Sequence, residues 1–369
     1  MTRPVGPVGV GVIGAGVISD QYLENLTVFP DVRVLFVADL DVARATAQAD
    51  KYGIAGSGTV EELLAHPEIE IVVNLTIPAA HVEVATAALA AGKNVWSEKP
   101  FALDRDSGRR LLADAADRGL RVATAPDTFL GAGLQTGLRL IADGTIGTPL
   151  TALALMQSPG PESWHPSPEF LFQTGGGPLF DIGPYYLTTL VQVFGAARKV
   201  TAAASTARPV RTIGSGPRAG TEFDVTVPSH HGALIEFAGG GSAQIIFSFE
   251  SFRSRTGFVE VNGSAGTLAF PDPNQFDGAT TVFDGTSDDG IEHPPVGSLS
   301  GRGTGVAELA QAIRAGRPER ASGEQAFHVL DLMVSIAESA ERGESVTLDS
   351  GFTRAPPVPA DWDPKVATL

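Results

Sequence analysis

The chain has 369 residues, of which 43% are hydrophobic and 18% are charged. This composition is typical of a globular protein, and the length suggests about two domains. Its 42 acidic and 26 basic side chains give a formal net charge of -16, so nucleic acid and anionic membrane surfaces would be repelled. Because the chain contains no cysteine, disulfides, thiolate metal sites and cysteine nucleophiles are excluded.

The start of the chain resembles a short secretory signal, since Met1 to Arg3 precede the apolar stretch from Val8 to Ile18. No small-residue cleavage site follows this stretch. No apolar run reaches the roughly 18 to 20 residues needed to cross a bilayer. We therefore expect a soluble, cytoplasmic protein whose mature chain begins near residue 1, without a membrane partner.

Short β-rich runs alternate with amphipathic or alanine-rich segments in the first third of the chain. Strands are predicted at 8–13, 32–37, 69–75, 94–97 and 120–125, and helices at 17–28, 41–52, 59–65, 79–91 and 105–118. Such alternation indicates a parallel sheet with right-handed crossovers. Residues 1–126 are predicted to form a Rossmann dinucleotide-binding domain.

After Pro126 the regular alternation of predicted strands and helices ends. Strands are predicted at 199–207, 221–227, 232–238, 242–249, 257–261 and 266–270, and helices at 132–143, 181–194, 304–315 and 324–341. This pattern predicts a second α/β domain, residues 127–353, in which the helices cover one face of a large open, mainly antiparallel sheet. The Gly/Pro/Asp-rich stretch 271–303 is expected to be a surface excursion, and 354–369 a loosely held tail.

A glycine-rich turn follows the first predicted strand. Gly14 and Gly16 stand in the spacing G-x-G-x-x-S, which ends at Ser19. A turn of this kind, continued by Val17 and Ile18, lets the backbone approach a pyrophosphate at a helix N-terminus, although a tight turn without a ligand has the same pattern. Asp39 ends the second strand, where a carboxylate accepts hydrogen bonds from the adenosine ribose, and this favours a dinucleotide.

The residues around Asp39 favour NAD over NADP. Leu40 follows it in place of an Arg or Lys, so nothing adjacent neutralises a 2′-phosphate. Arg44, one turn into the next helix, is interpreted as a solvated side chain. Thr76 and Pro78, after the strand at 69–75, are predicted to form the cofactor wall, and His81 begins the helix behind it.

Several ordered motifs carry a family resemblance. They are Thr76-Ile-Pro78-Ala-Ala-His81, Ala91-Gly92-Lys93, Glu98-Lys99-Pro100, the stretch Gly175 to Gly183, and the stretch Asn262 to Thr267. With the glycine turn, they span most of the chain and resemble the Gfo/Idh/MocA family of sugar and inositol oxidoreductases. The resemblance implies that Lys99, next to Glu98 in the cofactor site, lies beside the nicotinamide and the reacting carbon. It also implies that Asp181 contacts the substrate hydroxyl.

The residues themselves agree with part of this. An ammonium at the carboxyl edge of a sheet can hydrogen-bond the reacting oxygen and ease its deprotonation, although Lys99 could also be a surface lysine before a proline turn. Asp181 could also cap the N-terminus of the helix that follows it.

The chain departs from the family pattern four residues after Asp181, where Tyr185 stands in place of the histidine that acts as acid/base in many members. A phenol can do this work if its pKa, ordinarily about 10, is lowered by a cation such as Lys99. Tyr185 could instead only line the pocket, and the proton acceptor would then be Lys99, Asp181 or His165. Trp164 and His165 suit stacking on a sugar and recognition of its hydroxyls.

Together these observations predict an NAD(P)-dependent dehydrogenase, with NAD preferred, that transfers hydride between a secondary alcohol of a sugar, glycoside or cyclitol and the nicotinamide, in a direction that the residues do not indicate. One alternative is a redox-neutral glycoside-cleaving enzyme with retained NAD, and another is a non-catalytic dinucleotide-binding regulator. No residue pattern indicates a metal site, and nucleic acid is not expected as a partner. The resemblance implies a homo-oligomer, either a dimer or a tetramer.

Overall fold

The computed structural model describes residues 6–369 and divides them into two compact units. The first contains the described residues up to Ala132 together with Val296–Phe327 and Ala355–Leu369, and the second contains Gly133–Pro295 and His328–Arg354. The predicted domains, 1–126 and 127–353 with a tail at 354–369, were continuous in sequence. In the structure, two later segments, Val296–Phe327 and Ala355–Leu369, belong to the first unit instead. The predicted start of the chain, Met1 to Arg3, lies outside the described residues.

The first unit contains a six-stranded parallel sheet in the order β3-β2-β1-β4-β5-β6. Its elements are β1 (Val8–Ile13), α1 (Val17–Leu26), β2 (Val32–Ala38), α2 (Val42–Tyr52), β3 (Gly56–Gly58), α3 (Val60–Ala65), β4 (Ile71–Asn74), α4 (His81–Ala90), β5 (Asn94–Ser97), α5 (Arg105–Arg118) and β6 (Val122–Thr124). Every residue of β1 and β4 is buried, as expected where helices cover both faces of a parallel sheet. The predicted Rossmann fold is confirmed.

The remaining elements follow in chain order. They are α6 (Ala132–Ala142), β7 (Pro149–Gln157), α7 (Gly177–Asp181), α8 (Gly183–Phe194), β8 (Ala197–Ser205), β9 (Val210–Thr212), β10 (Glu222–Asp224), β11 (His230–Phe237), β12 (Ser242–Ser248), β13 (Arg255–Gly263), β14 (Thr267–Phe270), β15 (Thr280–Phe283), β16 (Ile291–His293), α9 (Thr304–Ala315), α10 (Gly323–Arg342) and β17 (Val346–Thr347).

The second unit is built on a nine-stranded sheet in the order β16-β15-β14-β13-β7-β12-β11-β8-β17. All neighbouring strands are antiparallel except β7 and β12, which are parallel. The helix α8 packs against β7, and β9 and β10 form a separate two-stranded ribbon. The predicted mainly antiparallel sheet is confirmed.

Two details of this sheet differ from the prediction. Its central strand β7 was missed because the sequence of residues 149–157, rich in Ala and Leu, has no preference for a strand; pairing with β12 and β13 determines its conformation. The stretch 271–303 was expected to be a surface excursion, but β15 and β16 within it extend the sheet.

Helix α9 was predicted to cover the antiparallel sheet, and that prediction is wrong. It belongs to the first unit and packs against α1. It also packs closely on β5, since a Cβ added to Gly305 would lie 1.9 Å from the indole of buried Trp96. The amphipathic pattern of a helix sequence identifies its apolar face, but it does not identify the surface that covers that face.

The last residues are also held more firmly than predicted. The Trp362 indole nitrogen donates to Gln311 Oε1 at 2.7 Å, and the amide of Gln311 donates to Asp31 Oδ2 at 2.8 Å. Buried Asp31 also accepts hydrogen bonds from the backbone nitrogens of Thr368 and Leu369. The tail is therefore part of the first unit, anchored by a buried carboxylate.

Candidate cofactor and substrate sites

The glycine turn at the start of α1 has room for a ligand. Gly14 has a φ of +105°, and a Cβ there would lie 2.7 Å from the backbone of Leu75, so only glycine fits. A Cβ added to exposed Gly16 would have no heavy atom within 4 Å. Ser19, in the place of a third glycine, is buried and donates to the carbonyl of Gly16 at 2.6 Å. The serine therefore leaves the ligand side of the turn open.

Asp39 is buried at the end of β2 and tied directly to that turn. Its Oδ2 accepts from the backbone nitrogen of Ala15 at 2.7 Å, and its Oδ1 accepts from that of Asp41 at 2.9 Å. The Arg44 guanidinium also donates to it, with Nη2 at 2.6 Å from Oδ1 and Nε at 3.3 Å from Oδ2. Burial alone would raise the pKa of Asp39, but these hydrogen bonds keep it below its usual value. The interpretation of Arg44 as only solvated is wrong.

Three large apolar side chains around this edge are exposed to an unusual degree. Leu40 is 97% exposed, Val17 90% and Ile77 69%. Each adjoins a predicted cofactor residue in the chain: Leu40 follows Asp39, Val17 follows Gly16, and Ile77 lies between Thr76 and Pro78. Exposed apolar surface beside a few polar groups is the character of a binding site. These residues fit a dinucleotide, whose rings and ribose would cover them.

The predicted cofactor wall at Thr76 and Pro78 is held from behind by His81. Nδ1 of its buried ring lies 2.8 Å from the carbonyl oxygen of Pro100, and Nε2 lies 3.0 Å from that of Thr76. Burial lowers the pKa of His81, so its neutral ring donates to one carbonyl at a time. The contacts show His81 joining the loop after β4 to the Glu98-Lys99-Pro100 segment. Its predicted direct contact with the cofactor stays a prediction.

Glu98 fixes the backbone of Lys99 at the end of β5. Its buried carboxylate accepts from the Lys99 backbone nitrogen through Oε2 at 3.0 Å, and from the Tyr22 hydroxyl through Oε1 at 2.8 Å. The Tyr22 oxygen accepts in turn from the Trp96 indole at 3.2 Å. Burial raises the pKa of Tyr22 well above its usual value, so the phenol stays protonated and remains a donor. These contacts give Glu98 a positioning role.

A further buried carboxylate in this unit, Asp127, was missed by sequence reasoning. It follows β6, and its Oδ2 accepts from the backbone nitrogens of Gly303 and Gly305 at the start of α9, at 2.9 and 3.1 Å. Burial raises its pKa to about 6, against the opposing effect of Arg302, whose Nη1 lies 3.7 Å from Oδ1. Only its place at the carboxyl end of a strand could have identified it from sequence.

Asp181 and Tyr185 belong to the second unit. Half-buried Asp181 is the last residue of α7, and Ile182 occupies the N-cap position of α8 without a side-chain hydrogen bond. The alternative that Asp181 caps this helix is therefore not supported. Tyr185 lies in the first turn of α8 and is buried, as is Tyr186, whose hydroxyl accepts from the Gly257 backbone nitrogen at 2.7 Å. Burial raises the pKa of Tyr186, which makes it a structural residue.

Trp164 and His165 follow a short 3-10 helix, Pro161–Ser163. Their ring centroids are 5.5 Å apart in edge-to-face contact, and the His165 ring is 5.4 Å from Phe170 in the same geometry. His165 Nδ1 accepts from the Ser167 backbone nitrogen at 3.0 Å, so the proton of the neutral ring is on Nε2. His165 is thereby fixed as a hydrogen-bond donor at its outer nitrogen. Phe170 was not singled out in the sequence.

Within residues 6–369, no group of three or more His, Asp or Glu side chains is placed to hold a metal ion. None of the helices in the described part of the chain combines the length and apolar character of a membrane span.

Comparison with known families supports both units. Residues 8–125 match the family described as "Oxidoreductase family, NAD-binding Rossmann fold", and residues 134–269 match the "GFO/IDH/MocA C-terminal domain". The chain belongs to the Gfo/Idh/MocA oxidoreductase family. NAD binding and an oxidoreductase fold are therefore properties of its family, as the sequence motifs predicted.

Individual relatives are similar over most of the chain. The 1,5-anhydro-D-fructose reductase of Ensifer adhaerens is 26% identical over 93% of this chain and 99% of its own length. The trans-1,2-dihydrobenzene-1,2-diol dehydrogenase of Bos taurus is 28% identical over 71% of this chain and 74% of its own. Among solved structures, levoglucosan dehydrogenase in complex with NADH and L-sorbose superposes with a TM-score of 0.81 at 21% identity, covering 93% of this chain and 99% of that one. This last likeness shows the fold.

Proposed function

We propose that this protein is an NAD-dependent dehydrogenase that transfers hydride between a secondary alcohol of a sugar, glycoside or cyclitol and the nicotinamide. The observation that carries the proposal is the fixed backbone of Lys99, held by Glu98 at the carboxyl end of β5. The same edge of the sheet carries the open glycine turn and Asp39. The names of the relatives, an anhydrofructose reductase and a levoglucosan dehydrogenase, support a carbohydrate substrate.

The first unit supplies the groups that would hold the cofactor. The backbone of Gly14, Gly16, Val17 and Ile18 would bind the pyrophosphate, because the N-terminus of a helix attracts anions. Asp39 would accept from the ribose hydroxyls, while Thr76 and Pro78 would line the nicotinamide end. When bound, NAD supplies the hydride acceptor.

Two charged side chains would act on the substrate hydroxyl. The Lys99 ammonium can donate a hydrogen bond to the oxygen as negative charge develops on it, which lowers the barrier to deprotonation. The carboxylate of Asp181 can accept from a hydroxyl and so orient the substrate. Neither role needs a metal ion, since charge and hydrogen bonding suffice to polarise an alcohol.

For the proton acceptor we propose Tyr185 in preference to His165. The neutral His165 ring carries its proton on the outer nitrogen, because the inner one accepts from Ser167. To accept a proton at Nε2, the ring would have to change tautomer and lose that hydrogen bond. His165 is therefore suited to donate to a substrate oxygen. Tyr185, one turn after Asp181, can take the proton in its phenolate form, which a neighbouring cation would stabilise.

We also propose that the protein forms a dimer or a tetramer. Large apolar residues on one face of the nine-stranded sheet are exposed, Leu234 on β11 and Phe258 on β13, and the half-buried Leu153 and Leu155 of β7 lie between them on that face. An apolar sheet surface of this kind suits an interface between copies. Light scattering on the purified protein would measure the mass, and a monomer at all concentrations would contradict this proposal.

The function is tested by offering the purified protein NAD with a panel of sugars, glycosides and inositols while the absorbance of reduced nicotinamide is followed. We expect turnover with at least one polyol, and its loss in Lys99→Ala. NAD that copurifies and does not exchange would instead support redox-neutral glycoside cleavage. Binding of NAD without reduction by any polyol would support a regulator.

A further inference from the structure

Three aromatic side chains of the second unit form a surface that we call the aromatic shelf: Trp164, His165 and Phe170. Their rings are in consecutive edge-to-face contact. Trp164 is nevertheless 67% exposed and Phe170 is 53% exposed. Large aromatic rings that pack on one another and still face solvent expose apolar faces on which a ligand ring can stack.

The segment that leads into the shelf is held by ion pairs and hydrogen bonds of a buried arginine. Arg211, on β9, is buried and donates to Glu162 Oε1 at 2.5 Å and to the Phe249 carbonyl oxygen at 2.7 Å. It also lies 2.8 Å from Glu250 Oε1, and its guanidinium covers the ring of Phe172 at 4.6 Å. Because Glu162 is in the 3-10 helix that ends just before Trp164, these contacts fix the entry to the shelf.

The loop after β9 packs against residues 162–166, the segment that contains Trp164 and His165. The Gly214 backbone nitrogen donates to the carbonyl of Glu162 at 2.7 Å. A Cβ added to Gly214 would lie 3.0 Å from Ser163, and one added to Gly216 would lie 2.7 Å from Pro166. The shelf is therefore preorganised, which reduces the entropy lost when a ligand orders it.

The other end of the shelf is joined to the segment that carries Asp181. Phe170 lies in a 3-10 helix, Glu169–Phe172, that packs against α7, the helix that ends at Asp181. The approach is close, since a Cβ added to Gly176 would lie 2.4 Å from the Phe170 carbonyl oxygen. Within this unit, the shelf and the proposed substrate carboxylate are thus held by one continuous piece of packed structure.

We infer that the aromatic shelf binds a second ring of the substrate, so that the preferred substrates are glycosides with a cyclic aglycone or neighbouring sugar rather than free monosaccharides. The inference rests on the proposed function. A reacting ring must be shielded from water, which does not suit residues as exposed as Trp164 and Phe170. A ring beyond the reacting one can remain partly in solvent while it stacks on their faces, and His165 can donate from Nε2 to its oxygens.

The test compares phenyl and methyl β-glycosides of glucose, galactose and mannose. Binding is measured by saturation-transfer NMR and calorimetry with the NADH-loaded protein, in which oxidation of the glycoside is blocked. We expect saturation of the phenyl protons, and phenyl glycosides that bind roughly tenfold tighter than methyl glycosides. Trp164→Ala and Phe170→Ala should weaken the binding of phenyl glycosides more than that of methyl glycosides and so remove most of this difference. The matched control is Ile291→Ala, an exposed apolar residue on β16, which should change neither affinity.

Equal binding of phenyl and methyl glycosides, or an equal loss for both in Trp164→Ala, would overturn the shelf inference. Turnover assays with NAD separate this failure from failure of the proposed function. Oxidation of monosaccharides and glycosides with the same KM would keep the dehydrogenase and overturn the shelf. Phenyl selectivity that depends on Trp164, with no oxidation of any polyol, would support the shelf and overturn the dehydrogenase.

Discussion

The Arg44 guanidinium donates to both oxygens of the Asp39 carboxylate, with 2.6 Å between Nη2 and Oδ1. Asp39 also accepts from the backbone nitrogens of Ala15 and Asp41. The pair joins the end of β2 to α2 and places a half-exposed cation where the adenosine ribose would bind. The negative charge of Asp39 is therefore largely neutralised by Arg44.

We predict that Arg44→Ala will weaken NADP binding more than NAD binding. Without the guanidinium, the carboxylate of Asp39 would repel a 2′-phosphate at full strength, and the Kd for NADP should rise about tenfold or more. The Kd for NAD should change by less than about threefold, because ribose hydroxyls are neutral. Calorimetry on both cofactors measures the difference.

Asp39→Ala should act in the opposite direction and narrow the preference for NAD. A matched control is Arg33→Ala. Arg33 is an exposed arginine on β2, the strand that leads to Asp39, and it pairs with Glu68. This variant should alter neither affinity. Equal weakening of NAD and NADP in Arg44→Ala would show that this arginine only supports the fold.

Lys99→Ala should lower turnover by roughly 10² to 10³ fold, the effect of losing one preorganised donor at the reacting oxygen. Its backbone nitrogen, which Glu98 holds, remains in the variant, so NAD affinity should hardly change. Stopped-flow turnover and calorimetry measure the two quantities separately. A variant that lost NAD binding and activity together would place the lysine in the cofactor site.

Asp127→Asn should remove part of the pH dependence of stability. Burial raises the pKa of Asp127 to about 6, above its value in the unfolded chain, so the folded state holds the proton more tightly. The stabilisation from this proton is complete below pH 4 and is lost as the pH rises to about 6, by up to about 1.4 kcal/mol per pH unit. The asparagine oxygen can still accept from Gly303 and Gly305.

Thermal or urea unfolding of both proteins from pH 4 to 7 tests this. The stability of the natural protein relative to Asp127→Asn should decrease as the pH rises through this window and be constant above it. Parallel profiles would mean that the carboxylate titrates at its usual pH despite its burial.

The parallel sheet and the glycine turn could be predicted because each depends on a local signal. Six-residue β1 is apolar throughout, and the start of α3 is marked by a capping box between the Thr59 and Glu62 side chains, whose spacing is a local sequence signal. Strand β3 was missed because its three residues are Gly-Ser-Gly, and only pairing with β2 defines it. Arg44 was misjudged for a related reason, since the sequence gives its position on α2 but not the direction of its side chain.

Packing between residues that are far apart in the chain could not be predicted from the sequence either. The assignment of α9 and of residues 355–369 to the first unit depends on Trp96 and Asp31, which lie far away in the chain. The support of the aromatic shelf by Arg211 has the same character, because nothing in the residues around Arg211 indicates that Glu162 and Glu250 lie beside it.

The roles of Tyr185 and His165 are separated by two conservative variants. If the Tyr185 phenol accepts the proton, Tyr185→Phe keeps the ring in its buried place but should lower turnover by about 10² fold or more, because the titrating group is gone. The acidic limb of the pH profile, where protonation of this base lowers turnover, should be lost with it. If Tyr185 only shapes the site, the pH profile should be retained and the binding free energy of the substrate should weaken by about 1 kcal/mol.

His165→Asn provides the comparison, because the Asn amide keeps a hydrogen-bonding group at this position but cannot act as a base. Since Ser167 fixes the His165 ring as a donor, we expect this variant to keep its pH profile and to change mainly KM. Turnover measured from pH 6 to 10 with saturating NAD decides between the two residues. A collapse of turnover in His165→Asn, with near-normal turnover in Tyr185→Phe, would move the acid/base role to the histidine and require its ring to exchange tautomers during the reaction.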